Sequence, residues 1–313
     1  VAAVEEDVGT KQRLLSRLGT FQYETMERAA MRLPEPVAAR LFRAYGSLTW
    51  RFIPSLRRTV AANMARVLGQ PADSPIVAAA TREAFDLYAR YWYDSFRIRV
   101  MPREEVNKRF VMEDVQNIDQ ALEAGRGAIL ALPHLGNWDA AGHYMCINGY
   151  RLCAVAERLS NERVTELFLH HREELGMKIV SLDTGGGAQR VGPELMELLA
   201  DNWLIALVAD RDLTGRGVDV EMFGAPRKLP AGPALLSLAS GAPLMACPLS
   251  TTENGWHCRI GRPLEVERTG EMRADITALT HRLASEFERM ISAKPTDWHM
   301  FQPAWGARGG SSP

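Results

Sequence analysis

"GAILALPHLGNWDAAGHY", residues 127–144, is the stretch from which the fold is read. Its first part, "GAILALP", is a short run of apolar, β-compatible residues ending at Pro133, the pattern of a buried strand. Gly136 and Asn137 are turn and cap residues, and "WDAAGHYMCI" continues as a helix. His134 and Asp139 stand five apart, and on one continuous helix they would point about 140° away from each other. If the two side chains meet, His134 must lie outside the helix that carries Asp139. The pattern places His134 at the C-terminal mouth of a strand and Asp139 in the first helical turn beyond it. Open α/β sheets put their chemistry at that edge.

Strand-like runs continue at 151–157, 177–182, 203–210 and 243–250, with a late strand at 257–266. Helical runs alternate with them at about 137–148, 160–175, 189–201 and 231–240, and a final helix spans about 272–293. Upstream, apolar residues recurring mostly at steps of three and four (Leu14, Leu18, Phe21, Met26, Ala30, Leu33) predict an amphipathic helix over 10–33. A second helix restarts after Pro34 and Pro36 and stops at Gly46, and two more follow at about 55–69 and 75–95. The chain is thus expected to be α/β, with a central, mainly parallel or mixed sheet flanked by helices on both faces and a helical N-terminal region. The expected divisions are a helical docking region at 1–100, an α/β core at 101–305 and a disordered tail at 306–313.

Composition narrows the function. The 313 residues are 46% hydrophobic and 24% charged, which are globular values. Cys146, Cys153, Cys247 and Cys258 show no CxxC spacing, so they read as free thiols and not as a zinc site. Neither a run of 18 uncharged apolar residues nor a signal peptide is present, so no membrane span or export leader is expected. Net charge is −1 but uneven: residues 1–70 hold 11 Lys and Arg against 6 Asp and Glu, and the remainder 26 against 32. Trp50, Phe52 and Ile53 stand among the arginines of that basic end. Such a helix either lies on an anionic membrane surface, where each cation contributes roughly 1 kcal/mol, or is a solvated face packed on the main domain. No dense Lys/Arg stripe or recognition motif points to nucleic acid.

A carboxylate on one imidazole nitrogen fixes the tautomer and leaves the other nitrogen as a base. His134 and Asp139 suit that role, although H-x4-D alone is a short motif. No G-x-S-x-G nucleophile accompanies them, so the base must act on a substrate hydroxyl or on water. "VADRDL" (208–213) crowds Asp210, Arg211 and Asp212 at another strand end, and "AVAERL" (154–159) does the same with Glu157 and Arg158. The helix start in "LPAGPALLSLASG" offers amides to an anion, or is an ordinary proline-initiated helix. "TGGGAQ" (184–189) lacks the P-loop lysine and reads as a loop. His143 follows Asp139 by four, which leaves a metal pair formally open, while His170 and His171 do not share a face.

Together, "RGAILALPHLGNWDAAG", "AVAERL", "HREELGMKIV", "VADRDLTGRGVDVEMFG", "LPAGPALLSLASGA" and "DWHMFQPAW" resemble the bacterial lipid A lauroyl/myristoyl acyltransferase superfamily. Within it they are most similar to the mycobacterial phosphatidylinositol mannoside acyltransferase subfamily. The resemblance covers most of 55–305 and implies acylation of a mannose hydroxyl of a phosphatidylinositol mannoside at the inner membrane face. Acyl-CoA would be the co-substrate, with no metal or other cofactor. It further implies that His134 is the base, Asp139 its partner and Asp210 a support of the polar site, where the family commonly has glutamate. Glu157, Arg158, Arg172 and Arg211 fall on polar positions near the site, and Gly136 and Asn137 are candidate oxyanion donors. Another glycolipid, a lysophospholipid or water, as in an acyl-CoA thioesterase, are the alternative acceptors.

Overall fold

The chain is described here by a computed structural model covering residues 2–158, 161–182 and 188–305, the side chains of 2–16 and 188–190 excepted. It opens with helices α1 (Ala2–Arg32), α2 (Glu35–Phe52), α3 (Pro54–Leu68) and α4 (Pro75–Arg97). Proline stands in the first turn of α2, α3 and α4, where a missing N–H is no loss. The expected stop at Gly46 does not occur. Gly46 faces α4, and a Cβ there would lie 2.8 Å from Ala89 Cβ and 3.0 Å from the Phe85 carbonyl oxygen. Glycine serves a close helix crossing at this point, so α2 runs on to Phe52.

Next come α5 (Arg103–Arg109), β1 (Phe110–Glu113) and α6 (Gln116–Glu123), three short elements that the sequence pattern did not reveal. The alternation read from sequence follows: β2 (Ala128–Leu132), α7 (Trp138–Ile147), β3 (Leu152–Glu157), α8 (Glu162–Glu174), β4 (Lys178–Leu182), α9 (Ala188–Ala200) and β5 (Leu204–Val208). A hairpin of β6 (Val218–Met222) and β7 (Ala225–Leu229) turns at Phe223 and Gly224, both with positive φ, the requirement of a tight two-residue turn. The chain ends with α10 (Gly232–Ser240), β8 (Leu244–Ala246), β9 (Leu249–Thr251), β10 (Trp256–Arg259) and α11 (Met272–Ala293). "TGGGAQ" lies mostly outside the described residues, as does the tail from 306.

Five strands form one parallel sheet in the order β4-β3-β5-β2-β8. Every residue of β2 is buried, as a strand covered on both faces requires. Ile129, Ala131, Ile205 and Leu244 face a core shared with α3, α4, α9, α10 and α11. Ala128, Leu130, Leu132 and Leu204 face a second core shared with α6 and α7. The fold is therefore α/β with a helical N-terminal region, as expected. The single strand expected at 243–250 is two, because Pro248 has no N–H to continue the ladder. Beyond it β9 pairs antiparallel with β10, which pairs parallel with β1 in a separate three-stranded sheet. The late strand ends at Arg259, and only a lone bridge from Pro263 to Met245 continues it.

Tyr23, Ala30, Phe42, Tyr93 and Phe96 form a small core that fastens α1 and α2 to α4. The apolar stripe expected along α1 is split: Ala30 is buried and Met26 partly so, whereas Leu18 and Phe21 remain 60% and 64% exposed. No helix among the described residues is long and apolar enough to cross a membrane. The Gly46 crossing yields a direct test. Gly46→Val should lower the unfolding free energy by about 1–3 kcal/mol through overpacking, read by urea denaturation; an unchanged midpoint would show that the crossing is not tight.

Candidate active site

The sheet brings His134 and Asp210 together by register. Leu132 of β2 pairs with Val208 of β5, and each of the two residues lies two positions beyond that pair. The His134 ring nitrogen Nδ1 is 2.5 Å from Asp210 Oδ1. Asp210 is wholly buried. Burial alone raises its carboxyl, but the His134 imidazole, the Trp298 indole N–H and the Arg227 charge outweigh it and hold the group down at about 2. An ionised carboxylate only accepts, so Nδ1 carries the proton and Nε2 is left as the acceptor. Trp298 Nε1 donates to the other oxygen, Oδ2, at 2.8 Å.

The expected contact between His134 and Asp139 is not made. Asp139 lies in the first turn of α7, as read from sequence, but its carboxylate turns away and is buried. Its Oδ2 accepts the Tyr91 hydroxyl at 2.8 Å, and its Oδ1 accepts Arg172 Nε at 2.8 Å. Burial works against this charge most strongly of any single influence, but Arg172, with His171 and the Tyr91 hydroxyl, together outweigh it, so the carboxyl stays below its ordinary value. Burial, reinforced by Asp139, pushes the Tyr91 phenol far up, which keeps it a neutral donor. Asp139 thus joins α4, α7 and α8 and leaves the imidazole to Asp210.

Gly136 and Asn137 are also placed differently from expectation. The Gly136 N–H donates to the Asp297 carbonyl at 3.1 Å. Asn137 caps α7 by accepting from Ala140 N at 2.9 Å, and its amide reaches the Tyr91 carbonyl at 3.3 Å. Neither borders the cavity described below, so neither is poised as an oxyanion donor. Arg158 is exposed, pairs with Glu162 on α8 and likewise does not line the cavity. Glu157 and Arg211 do line it, 3.9 Å from each other. Asp212 is turned into its own loop, where it accepts from Thr214 N and Gly217 N. His143 Nδ1 donates to the Leu175 carbonyl at 2.9 Å, and no cluster of three metal-ligating side chains occurs among the described residues.

A cavity of about 750 Å³ opens at His134. Asp139, Arg172, Glu157 and Arg211 supply its polar wall, and the start of α10 (Gly232, Pro233) borders it as well. Its apolar wall runs between α7 and the sheet, past Leu130, Ala154 and Ala206, while Met177 packs directly on Gly142. Four residues of the site were not anticipated: Tyr91, Arg227, Trp298 and His299. His299 is buried beside Tyr91 and Trp138, with neither ring nitrogen partnered; burial, then nearby His134, pushes it down to about 3 and keeps it neutral. Trp298 and His299 lie in "DWHMFQPAW", a stretch conspicuous for its aromatics but silent about its partners.

Separating Asp139 from Arg172 leaves a buried guanidinium unpaired, and breaking such a pair costs about 3–5 kcal/mol. Asp139→Asn should therefore lose stability of that order in urea denaturation. A variant as stable as the parent would show that the Asp139–Arg172 pair does not fasten the helices.

The family model for bacterial lipid A biosynthesis acyltransferases matches residues 7–306. The chain is similar to a phosphatidylinositol mannoside acyltransferase of Mycolicibacterium smegmatis, 40% identical over 244 residues that cover 78% of this chain and 77% of the relative. It is similar also to a phosphatidylinositol mannoside acyltransferase of Mycobacterium tuberculosis, 37% identical over 248 residues, covering 78% and 75%. With a parallel α/β sheet, a histidine at the β2 mouth and these relatives, the chain belongs to the bacterial lipid A biosynthesis acyltransferase family.

Proposed function

We propose that this acyltransferase moves a long-chain acyl group from acyl-CoA to a mannose hydroxyl of a phosphatidylinositol mannoside. The observation that carries the reading is the His134–Asp210 pair at the mouth of a largely apolar cavity. His134 Nε2 takes the proton of the sugar hydroxyl while that oxygen attacks the thioester carbonyl. The carbon–sulfur bond then breaks, and the imidazolium returns the proton to the departing CoA thiolate. Asp210 stabilises the imidazolium between the two steps. Cys247 and Cys258 also line the cavity, but burial pushes the Cys247 thiol up to about 12 and Cys258 well above its usual value. Neither is a thiolate at neutral pH, which favours direct transfer over an acyl-enzyme.

The apolar wall is the seat of the acyl tail, at about 0.8 kcal/mol per buried CH₂. Glu157, Arg211 and Arg172 are the groups that meet the acceptor's sugar hydroxyls and phosphate. The same reading makes the protein peripheral, at the cytoplasmic face of the inner membrane. Leu18, Phe21, Leu48 and Phe52 are exposed on α1 and α2, with Arg17, Arg51 and Arg58 also exposed. Trp50 is withdrawn from that set: it packs partly into the core between Arg57 and Arg82. Phe52, 72% exposed, and Ile53 remain in it.

His134→Gln should lose on the order of 10²–10⁴ in acyl transfer to the glycolipid, with an unchanged circular dichroism spectrum. Turnover near that of the parent would remove His134 from the chemistry. The parent's CoA release should rise when the mannoside is added. Release that ignores the acceptor would mark a thioesterase, and a preference for lysophospholipid another acceptor.

Binding to anionic vesicles should exceed binding to neutral ones and fall with salt, whose Debye length is about 8 Å at physiological strength. Arg17→Gln, Arg58→Gln and Phe52→Ser together should weaken it. Equal sedimentation with both vesicle types, unaffected by the substitutions, would refute docking through this surface.

A further inference from the structure

Strand β7 alternates buried and open positions, with Ala225, Arg227 and Leu229 turned inward. An arginine therefore occupies a site where the pattern calls for an apolar side chain. It is only 9% exposed, and its Nε and Nη1 have no hydrogen-bond partner. Its Nη2 donates to the main-chain oxygen of Asp210. The guanidinium carbon lies 5.2 Å from the centre of the Trp305 ring and 6.0 Å from that of Trp298. A buried cation is costly without a counter-charge, and among the described residues Asp210 is the charge that acts on this one.

We propose that Arg227 is a positioning residue for the His134–Asp210 pair: it fixes the Asp210 main chain, supplies the carboxylate's permanent buried counter-charge, and opposes the charge that His134 takes on during transfer. The proposal rests on the reading of His134 as the base. The need for it follows from the reaction cycle. Before proton transfer the imidazole is neutral, and a wholly buried Asp210 would face no cation without Arg227. After transfer, His134 carries its own charge and the fixed guanidinium opposes it, so the proton is passed on to the leaving thiolate instead of being held. The tryptophans favour the cation through their ring faces and offer it no alternative acid.

The other charged groups nearby are already paired or neutral, apart from Asp297 beside Trp298, whose Oδ2 accepts from Thr251 N and whose Oδ1 has no partner. Facing Asp210 are His134 from the end of β2 and Arg227 from β7, together with the uncharged Trp298. Facing His134 are Asp210 and the neutral His299. Farther along the cavity, Glu157 pairs with Arg211 and Asp139 with Arg172, and Asp212 is held by its own loop.

The test is a titration of His134 in [15N]histidine-labelled protein, its resonance identified by its absence from His134→Gln, alongside kcat/KM against pH. In Arg227→Gln the pair loses the opposing cation and binds its proton more tightly. The His134 midpoint and the acid limb of kcat/KM should both rise by about one pH unit, a tenfold tighter hold on the proton. Arg227→Lys, which keeps the charge, should bring both back toward the parent. A folded Arg227→Gln with an unmoved His134 midpoint overturns the proposal, however low its activity, because a packing role leaves the titration in place. A moved midpoint with an unmoved acid limb upholds the hold of Arg227 on the pair and removes instead the base role of His134. If Arg227→Gln does not fold, Arg227→Met with Asp210→Asn takes its place. Removing both halves of the pair should restore folding; a double variant that still fails to fold overturns the proposal in favour of packing.

Discussion

One tryptophan and the peptide units on either side of it hold both members of the His134–Asp210 pair. The indole of Trp298 donates to Asp210, while the backbone around it pairs with the turn that carries the histidine. Leu135 and Trp298 form an antiparallel bridge, the His299 N–H donates to the His134 carbonyl at 2.7 Å, and the Gly136 N–H donates to Asp297. That segment is itself pinned from α3, where Asn63 donates to the Met300 and Gln302 carbonyls. Both halves of the pair are thereby referenced to one short run of chain. Catalytic groups lose most of their advantage when misplaced by even an ångström, and this arrangement leaves the imidazole little room to turn.

Two buried carboxylates sit close in sequence logic yet have different physical roles. Asp139 faces a guanidinium and a phenol that keep their charge states in the proposed cycle, so it fastens three helices and keeps the polar wall of the cavity in place. Asp210 faces an imidazole whose charge changes in the proposed reaction, so on that reading its contribution varies along the reaction. What separates them is which permanent donors surround each one. Asp139 has Arg172 and Tyr91, and Asp210 has Trp298 and the Arg227 charge.

Much of this was legible in the sequence. The strand ending at Pro133, the cap at Asn137 and the alternation beyond them set the α/β architecture and put His134 at a strand mouth. The H-x4-D spacing, however, pointed the imidazole at the wrong carboxylate. The reason is topological: β5 inserts between β3 and β2, and nothing local in the chain reports which strands become neighbours. Once β5 lies beside β2, the shared register delivers Asp210 to His134, and Asp139 is free for Arg172. Gly46 misled for a related reason, since its role comes from Ala89 and Phe85 on another helix. Arg158 looked like its neighbour Glu157, but alternation at the end of β3 sends the two to opposite sides.

The central claim is that Asp210, and not Asp139, holds the His134 proton at Nδ1 and so leaves Nε2 bare toward the cavity. The ring nitrogen shifts of His134 in [15N]histidine-labelled protein at neutral pH, compared between the parent and Asp210→Asn, measure this most directly. An Nδ1-protonated tautomer in the parent that is lost or mixed in Asp210→Asn is the expected result. An Nε2-protonated ring in the parent, or a tautomer indifferent to Asp210, would contradict it.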